Sequence, residues 1–189
     1  LNQKVHTYYL IIHRKNICVV SIYMTLQKTV VNMKIFIMRH GDAEFNAKTD
    51  AQRFLSLFGR EQARRMAYWL NKKSINFDQV LVSPYLRAQQ TLEVLREILV
   101  LPKNQKMMSE LTPGGDPEWI SHYLKTLAKK GYSSVLLISH LPLVDYLVSE
   151  FCPKQSPLVF HTAAMTHLDL DIDKNETSLN WHITPAQAK

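Results

Sequence analysis

The chain reads as an α/β protein, a three-layer sandwich with a mostly parallel central sheet and an antiparallel edge hairpin. Three observations predict this. Short unbroken apolar runs, KIFIM, QVLVS and SVLLIS, alternate with longer stretches of helical periodicity. Unbroken rather than alternating apolarity marks strands covered on both faces, as helices on either side of a sheet would cover them. The last two runs, MTHLDLDI and SLNWHI, do alternate, and they flank Asp173-Lys174-Asn175-Glu176 as an edge hairpin would.

The elements follow in order from Met33. KIFIM has the length and apolarity of a fully buried strand. SLFGREQARRMAYWLNKK sets Ala63, Met66, Ala67 and Leu70 on one stripe and predicts the first helix. QVLVS is the second strand. PYLRAQQTLEVLREILVL predicts the second helix, with Leu86, Leu92, Leu95 and Leu99 broadly on one side, Ser83 as N-cap and Pro84 at the first helical position. MMSELTPGG is expected to be irregular. Asp116-Pro117-Glu118 combines an Asp cap, a Pro at the first helical position and an acid in the first turn, so it opens a third helix, which Gly131 closes. SVLLIS is the third buried strand, and PLVDYLVSEF a short helix stopped by Cys152-Pro153.

Residues 1–32 stand outside this alternation. They are apolar in patches, but His13-Arg14-Lys15 and Lys28 interrupt them, and no run approaches the roughly 18–20 apolar residues that span a bilayer. The chain opens on Leu, and Met33 directly precedes the first convincing strand. Residues 1–32 are therefore expected to be a non-native or disordered extension, and residues 33–189 a single domain.

Composition narrows the function. The 189 residues are 46% hydrophobic and 21% charged, enough for one well-buried core. Of the net charge of +7, Lys4, Arg14, Lys15 and Lys28 supply +4 within residues 1–32, and the rest carries a modest surplus. That surplus suits anionic substrates, but no Lys/Arg cluster interleaved with aromatics speaks for nucleic acid. Cys18 and Cys152 make neither a disulfide framework nor a metal knot, so a reducing cytoplasm is expected.

The three buried strands end alike. KIFIM runs into Arg39-His40-Gly41, QVLV into Ser83-Pro84, and SVLLI into Ser139-His140. In a parallel α/β sheet these ends share the carboxyl edge, where open α/β folds place their ligands. Arg39, His40, Ser83 and His140 are thus expected to converge, joined by Arg87 from the first turn of the second helix. Two arginines, two imidazoles and a helix N-terminus form a site for a tetrahedral oxyanion such as phosphate. Fixed cations keep a neighbouring imidazole neutral near pH 7 and able to attack phosphorus in line. Arg39, Arg87 and a protonated His140 would then meet the charge that spreads over the equatorial oxygens. Gly41 is expected to let the chain bend sharply beside the ring. His6, His13, His122, His161, His167 and His182 lack comparable partners and read as structural or surface residues. Asp42 and Glu44 beside His40 suggest a metal, but no second His/Asp pair at ligand spacing supports one, so no metal or cofactor is expected.

These residues resemble a known group. Arg39-His40-Gly41 is similar to the RHG signature of the histidine phosphatase (phosphoglycerate mutase-like) superfamily. Ser83 to Thr91, SPYLRAQQT, resembles its SPxxRAxQT segment, and Ile138-Ser139-His140 its later histidine motif. MRHGDA, LVSPYLRAQQTLE, ELTPGGD and ISHLPLV together resemble its bacterial phosphohistidine phosphatases, from Met33 almost to the C-terminus. The resemblance implies His40 as the phosphorylated nucleophile and Arg39, Arg87 and His140 as the rest of the phosphate pocket, with Ser83 beside them. By motif position Glu110 is the candidate proton donor. The stretch between Arg87 and His140 is too short for a large lid insertion. Leu55-Ser56-Leu57-Phe58-Gly59 departs from the family's LTxxG pattern by Ser for Thr, which preserves helix capping.

An open pocket suits a phosphate presented on another protein's surface. The expected partner is therefore a phosphorylated histidine-containing phosphotransfer domain or phosphocarrier protein, met by a monomer without nucleic-acid or membrane contact. A small-molecule phosphomonoesterase of the same superfamily and a non-catalytic phosphoprotein-binding module are the alternative readings.

Overall fold

The computed structural model describes residues 4–13, 16–25, 32–103 and 105–189. Strands β1 (Lys4–His13) and β2 (Asn16–Thr25) pair antiparallel, Lys4 opposite Thr25 and His13 opposite Asn16. They belong to a compact unit separate from the one beginning at Val31. Of the segment expected to be an extension, residues 1–3, 14–15 and 26–31 lie outside the described residues.

The second unit holds six strands: β3 (Asn32–Arg39), β4 (Gln79–Val82), β5 (Gln105–Met107), β6 (Ser134–Ser139), β7 (Met165–Asp171) and β8 (Glu176–Ile183). Their order across the sheet is β5-β4-β6-β3-β7-β8. β5, β4, β6 and β3 run parallel; β7 and β8 join antiparallel at one edge, as the alternating pattern predicts. Four helices pack on it, α1 (Leu57–Lys72), α2 (Leu86–Arg96), α3 (Pro117–Lys129) and α4 (Leu143–Phe151).

The pleat explains the layers. Phe36 and Met38 of β3, Val80 and Val82 of β4, and Leu136 and Ile138 of β6 face one side, where Met66, Ala67 and Leu70 of α1 and Leu92 and Leu95 of α2 cover them. Ile35, Ile37, Leu81, Val135 and Leu137 face the other, under Ile120, Leu124 and Leu127 of α3 and Leu143 and Leu147 of α4. Burial on both faces is why these strands carry no polar alternation.

Helix ends follow local chemistry. Ser56 caps α1, its hydroxyl accepting the Gly59 N–H at 2.9 Å. Asp116 caps α3, accepting from Glu118 and Trp119, and Gly131 leaves that helix at φ +93°. Two expectations are corrected. α2 is shorter than the apolar stripe suggests and begins at Leu86, with Tyr85 in the cap position and no side-chain cap. Ser83, three residues before the helix begins, does not cap it, because its Oγ closes a turn on the Tyr85 N–H at 3.3 Å. β5, which the sequence did not announce, ends on Met107, the first residue of the stretch expected to be irregular, and a 3₁₀ turn, Ser109–Leu111, follows.

Candidate active site

Register brings the distant segments together. Arg39 lies opposite Ser139 across β3 and β6, and Val82 opposite Ile138 across β4 and β6, so all three strands end at one level. The ladder continues one step beyond, with His40 N–H donating to the Ser139 carbonyl at 2.9 Å and Ser83 N–H to the Ile138 carbonyl at 3.1 Å. The His40 and His140 rings are consequently 4.9 Å apart, centre to centre. A cavity of about 400 Å³ opens over them, lined by Arg39, His40, Asp42, Asp50, Arg53, Arg87 and His140, and also by Phe45, Pro113 and Leu141.

His40 is held in one tautomer. Its Nδ1 lies 2.6 Å from its neighbour's carbonyl, that of Gly41, which can only accept, so Nδ1 carries the hydrogen. Nε2 keeps its lone pair and accepts from the Arg87 Nε–H at 3.0 Å. Burial, with Arg87, Arg39 and Arg53 nearby, pushes its pKa down to about 3, against the weaker upward pull of the Gly41 carbonyl.

His140 meets Ser83 Oγ through Nε2 at 2.7 Å, while its Nδ1 is buried without a hydrogen-bond partner. Burial, then His40, Arg87 and Arg39, push its pKa down to about 2. Without phosphate, then, the buried ring beside two guanidiniums and a second imidazole is neutral at pH 7; the protonated His140 expected during attack on phosphate is a different state.

Arg87 is almost wholly buried. Its Nη1 donates to the Asp50 carbonyl at 2.6 Å and its Nη2 to Asp50 Oδ2 at 3.0 Å. Arg39 Nη1 donates to the Phe160 carbonyl at 2.7 Å, leaving a buried Nε–H with no partner. Burial and the neighbouring Arg87 lower the Arg39 pKa from its ordinary value, the mark of cations crowded together with less anion than they can take.

The loop from Asp42 to Ser56 closes on itself, through a bridge between Ala43 and Leu55 and a bond from the Ser56 N–H to the Asp42 carbonyl at 2.9 Å. Gly41 sits where this loop meets α1. A Cβ there would lie 2.6 Å from the Gly59 carbonyl oxygen, and one on Gly59 would lie 2.1 Å from that of Asp42. Gly41 has no positive φ, so its role is close approach rather than the sharp bend expected of it. Thr91 of α2 pins the same loop, accepting the Gly41 N–H at 3.1 Å and donating to the Arg87 carbonyl at 2.7 Å.

With this geometry in view, the relatives are informative. The sequence pattern of the Histidine phosphatase superfamily (branch 1) matches residues 35–111. Phosphohistidine phosphatase SixA of Escherichia coli (strain K12) is 46% identical over 157 residues, which cover 83% of this chain and 97% of that protein. The chain belongs to the histidine phosphatase superfamily. The SixA homolog of Haemophilus influenzae is 39% identical, over 76% of this chain and 92% of its own length. In three dimensions the chain is similar to the protein histidine phosphatase SixA complexed with tungstate, with a TM-score of 0.80 and 45% identity over 83% of this chain and all of that one.

Within this superfamily member, Arg39, His40, Arg87 and His140 come together and Glu110 does not. The 3₁₀ turn Ser109–Leu111 buries Leu111, whose carbonyl accepts from Ser139 Oγ at 2.7 Å, while Glu110 is not among the residues lining the cavity and accepts from Ser109 Oγ at 3.2 Å. Ser83 is fully buried behind His140 and does not line the cavity. Sequence reasoning missed Arg53 and Asp50. Arg53 Nε donates to the Glu44 carbonyl at 2.8 Å, Nη1 pairs with Asp50 Oδ1 at 3.2 Å, and the guanidinium lies 5.0 Å from the centre of the Phe45 ring. Both sit on the closed loop, away from any strand end, and the strand-end rule looks only there. Among the described residues, no group of three His, Cys, Asp or Glu side chains is placed to hold a metal ion, and no helix is long and apolar enough to cross a membrane.

Proposed function

We propose that the chain is a phosphohistidine phosphatase, a hydrolase that removes phosphate from a histidine of another protein through a phospho-His40 intermediate. The observation that carries this reading is the state of His40, a neutral ring whose Nδ1–H is tied to a carbonyl and whose Nε2, unprotonated and accepting from Arg87, sits among three guanidiniums. Binding an anion needs only the cations; an imidazole kept unprotonated and oriented among them is what a nucleophile needs. The likeness to SixA from Escherichia coli over nearly its whole length supports the same substrate chemistry.

In the first step His40 Nε2 attacks phosphorus in line, forming one N–P bond as the N–P bond to the substrate imidazole breaks. The departing ring, already protonated on its other nitrogen, leaves neutral, so no strong acid is required and Glu110 has no part in the step. Arg39, Arg53 and Arg87 neutralise the phosphoryl oxygens as charge spreads over them. A phosphoryl dianion raises the pKa of both imidazoles by the same electrostatics through which the arginines lower them, and this lets His140 share a proton with a phosphoryl oxygen. Ser83 fixes the His140 ring rather than touching phosphate. In the second step water attacks phosphorus, the N–P electrons return to Nε2, and inorganic phosphate leaves as H2PO4−, carrying the oxygen and both hydrogens of the water.

The open mouth supports a protein substrate. Of the segment between Arg87 and His140, only Pro113 lines the cavity among the described residues, so no lid wraps a small ligand. The partner is a phosphorylated histidine-containing phosphotransfer domain or phosphocarrier protein, the enzyme acts in the cytoplasm as a monomer, and residues 33–189 are its catalytic domain. The test is release of label from a phosphorylated phosphotransfer domain in EDTA. Wild type should release it and His40→Ala should lose nearly all activity; equal release by the two would refute the assignment.

A further inference from the structure

The cationic cavity accounts for the phosphoryl group but not for what surrounds it on the substrate. Beside it lies a second concavity of about 430 Å³, lined by Ala47, Lys48, Gln52, Phe54 and Leu86. No residue lines both, but residues adjacent in the chain line one or the other. Phe54 follows Arg53, Leu86 precedes Arg87, and the 3₁₀ turn Asp50–Gln52 contributes Asp50 to the cationic cavity and Gln52 to the groove. Their characters are opposite. The groove offers a phenyl ring, a leucine, a methyl group and the stems of two long polar side chains.

Exposed apolar side chains line both, Phe45 (90% exposed) and Leu141 (39%) at the cationic cavity and Phe54 (54%) at the groove. Apolar side chains gathered around a charged cavity leave hydrocarbon in water that a partner can cover. A phosphohistidine must deliver its phosphorus to His40 at the floor of a cavity of about 400 Å³, so the backbone that carries it stays at the mouth. Its neighbouring side chains then lie over the groove.

Building on the phosphatase reading, we propose that this groove is a subsite for an apolar side chain adjoining the phosphohistidine on the protein substrate, with Phe54 and Leu86 setting the preference. The subsite selects among phosphoproteins without touching the reacting atoms. It therefore acts on KM for protein substrates and leaves the transfer of a bare phosphoryl group alone.

The experiment compares N-phosphoimidazole with a set of phosphohistidine peptides of serine background that carry one leucine at each position near the phosphohistidine in turn. In wild type, leucine at one or two positions should raise kcat/KM about tenfold through KM, the scale of covering part of a leucine side chain. Phe54→Ser should abolish that gain and leave N-phosphoimidazole turnover unchanged, and Phe54→Leu should restore most of it. A flat leucine scan, a gain that survives Phe54→Ser, or a loss shared equally by N-phosphoimidazole would each overturn the subsite. A wild-type dimer that dissociates on Phe54→Ser would give the groove to a second copy and also overturn it. Failure of wild type on every phosphoimidazole substrate would instead remove the phosphatase reading, and the subsite with it.

Discussion

Acidification should destabilise this protein through its two active-site imidazoles. Both are neutral when folded: burial and the arginine charges hold His40 at about 3, and burial, His40 and the arginines hold His140 at about 2. In the unfolded chain each returns to its ordinary value of 6.5. Near pH 5 the unfolded state therefore binds more protons than the folded one, so stability is present above about 6.5 and is lost as pH falls below it. Between about pH 7.5 and pH 5 each ring accounts for a loss of about 2 kcal/mol. That figure hardly depends on the folded pKa, provided it lies below about 4. The pair removes about 4 kcal/mol from a total that for such domains is about 5–15. Urea unfolding of wild type and His40→Gln at both pH values isolates one ring, because the other titrating groups are common to the two. The variant should lose about 2 kcal/mol less than wild type across the interval. Equal losses would show that His40 is not held neutral, and the account of its nucleophilicity would go with it.

Other outcomes follow from the same geometry. Arg87→Ala removes the donor to His40 Nε2 and both contacts to Asp50, and should lower kcat on a phosphohistidine substrate by about a hundredfold, or about 3 kcal/mol. Gly41→Ala forces a methyl group to 2.6 Å from the Gly59 carbonyl oxygen and should cost about 1–3 kcal/mol in urea unfolding; an unchanged midpoint would contradict the packing described for the loop.

Much of the fold was legible because burial leaves a periodic trace. KIFIM, QVLV and SVLLIS could be recognised as strands covered twice, since each residue faces apolar neighbours on one side of the sheet or the other. Asp116 and Gly131 could be read as helix ends because capping uses side chains within a few residues. β5 was not legible. Its three residues are all exposed, and it exists only because β4 offers an unpaired edge. Ser83 misled for a related reason: its hydroxyl satisfies the criteria for a cap, but in the folded chain it is engaged by His140, 57 residues away in sequence.

The sequence by itself determined which chemistry was on offer, namely two imidazoles and two arginines at or just beyond the ends of buried strands. It also determined that these ends would share one edge of the sheet, since parallel strands bury their side chains on both faces and leave their carboxyl termini together. Only the tertiary structure decided what state those groups are in. That Arg87 donates to His40 Nε2, that Ser83 holds the His140 ring and that Asp50 and Arg53 enter the site beside Arg87 depend on distances between segments far apart in the chain. Protonation and tautomer answer to the field and hydrogen bonds of whatever lies within a few ångströms, and linear order carries no record of that neighbourhood until the chain has folded.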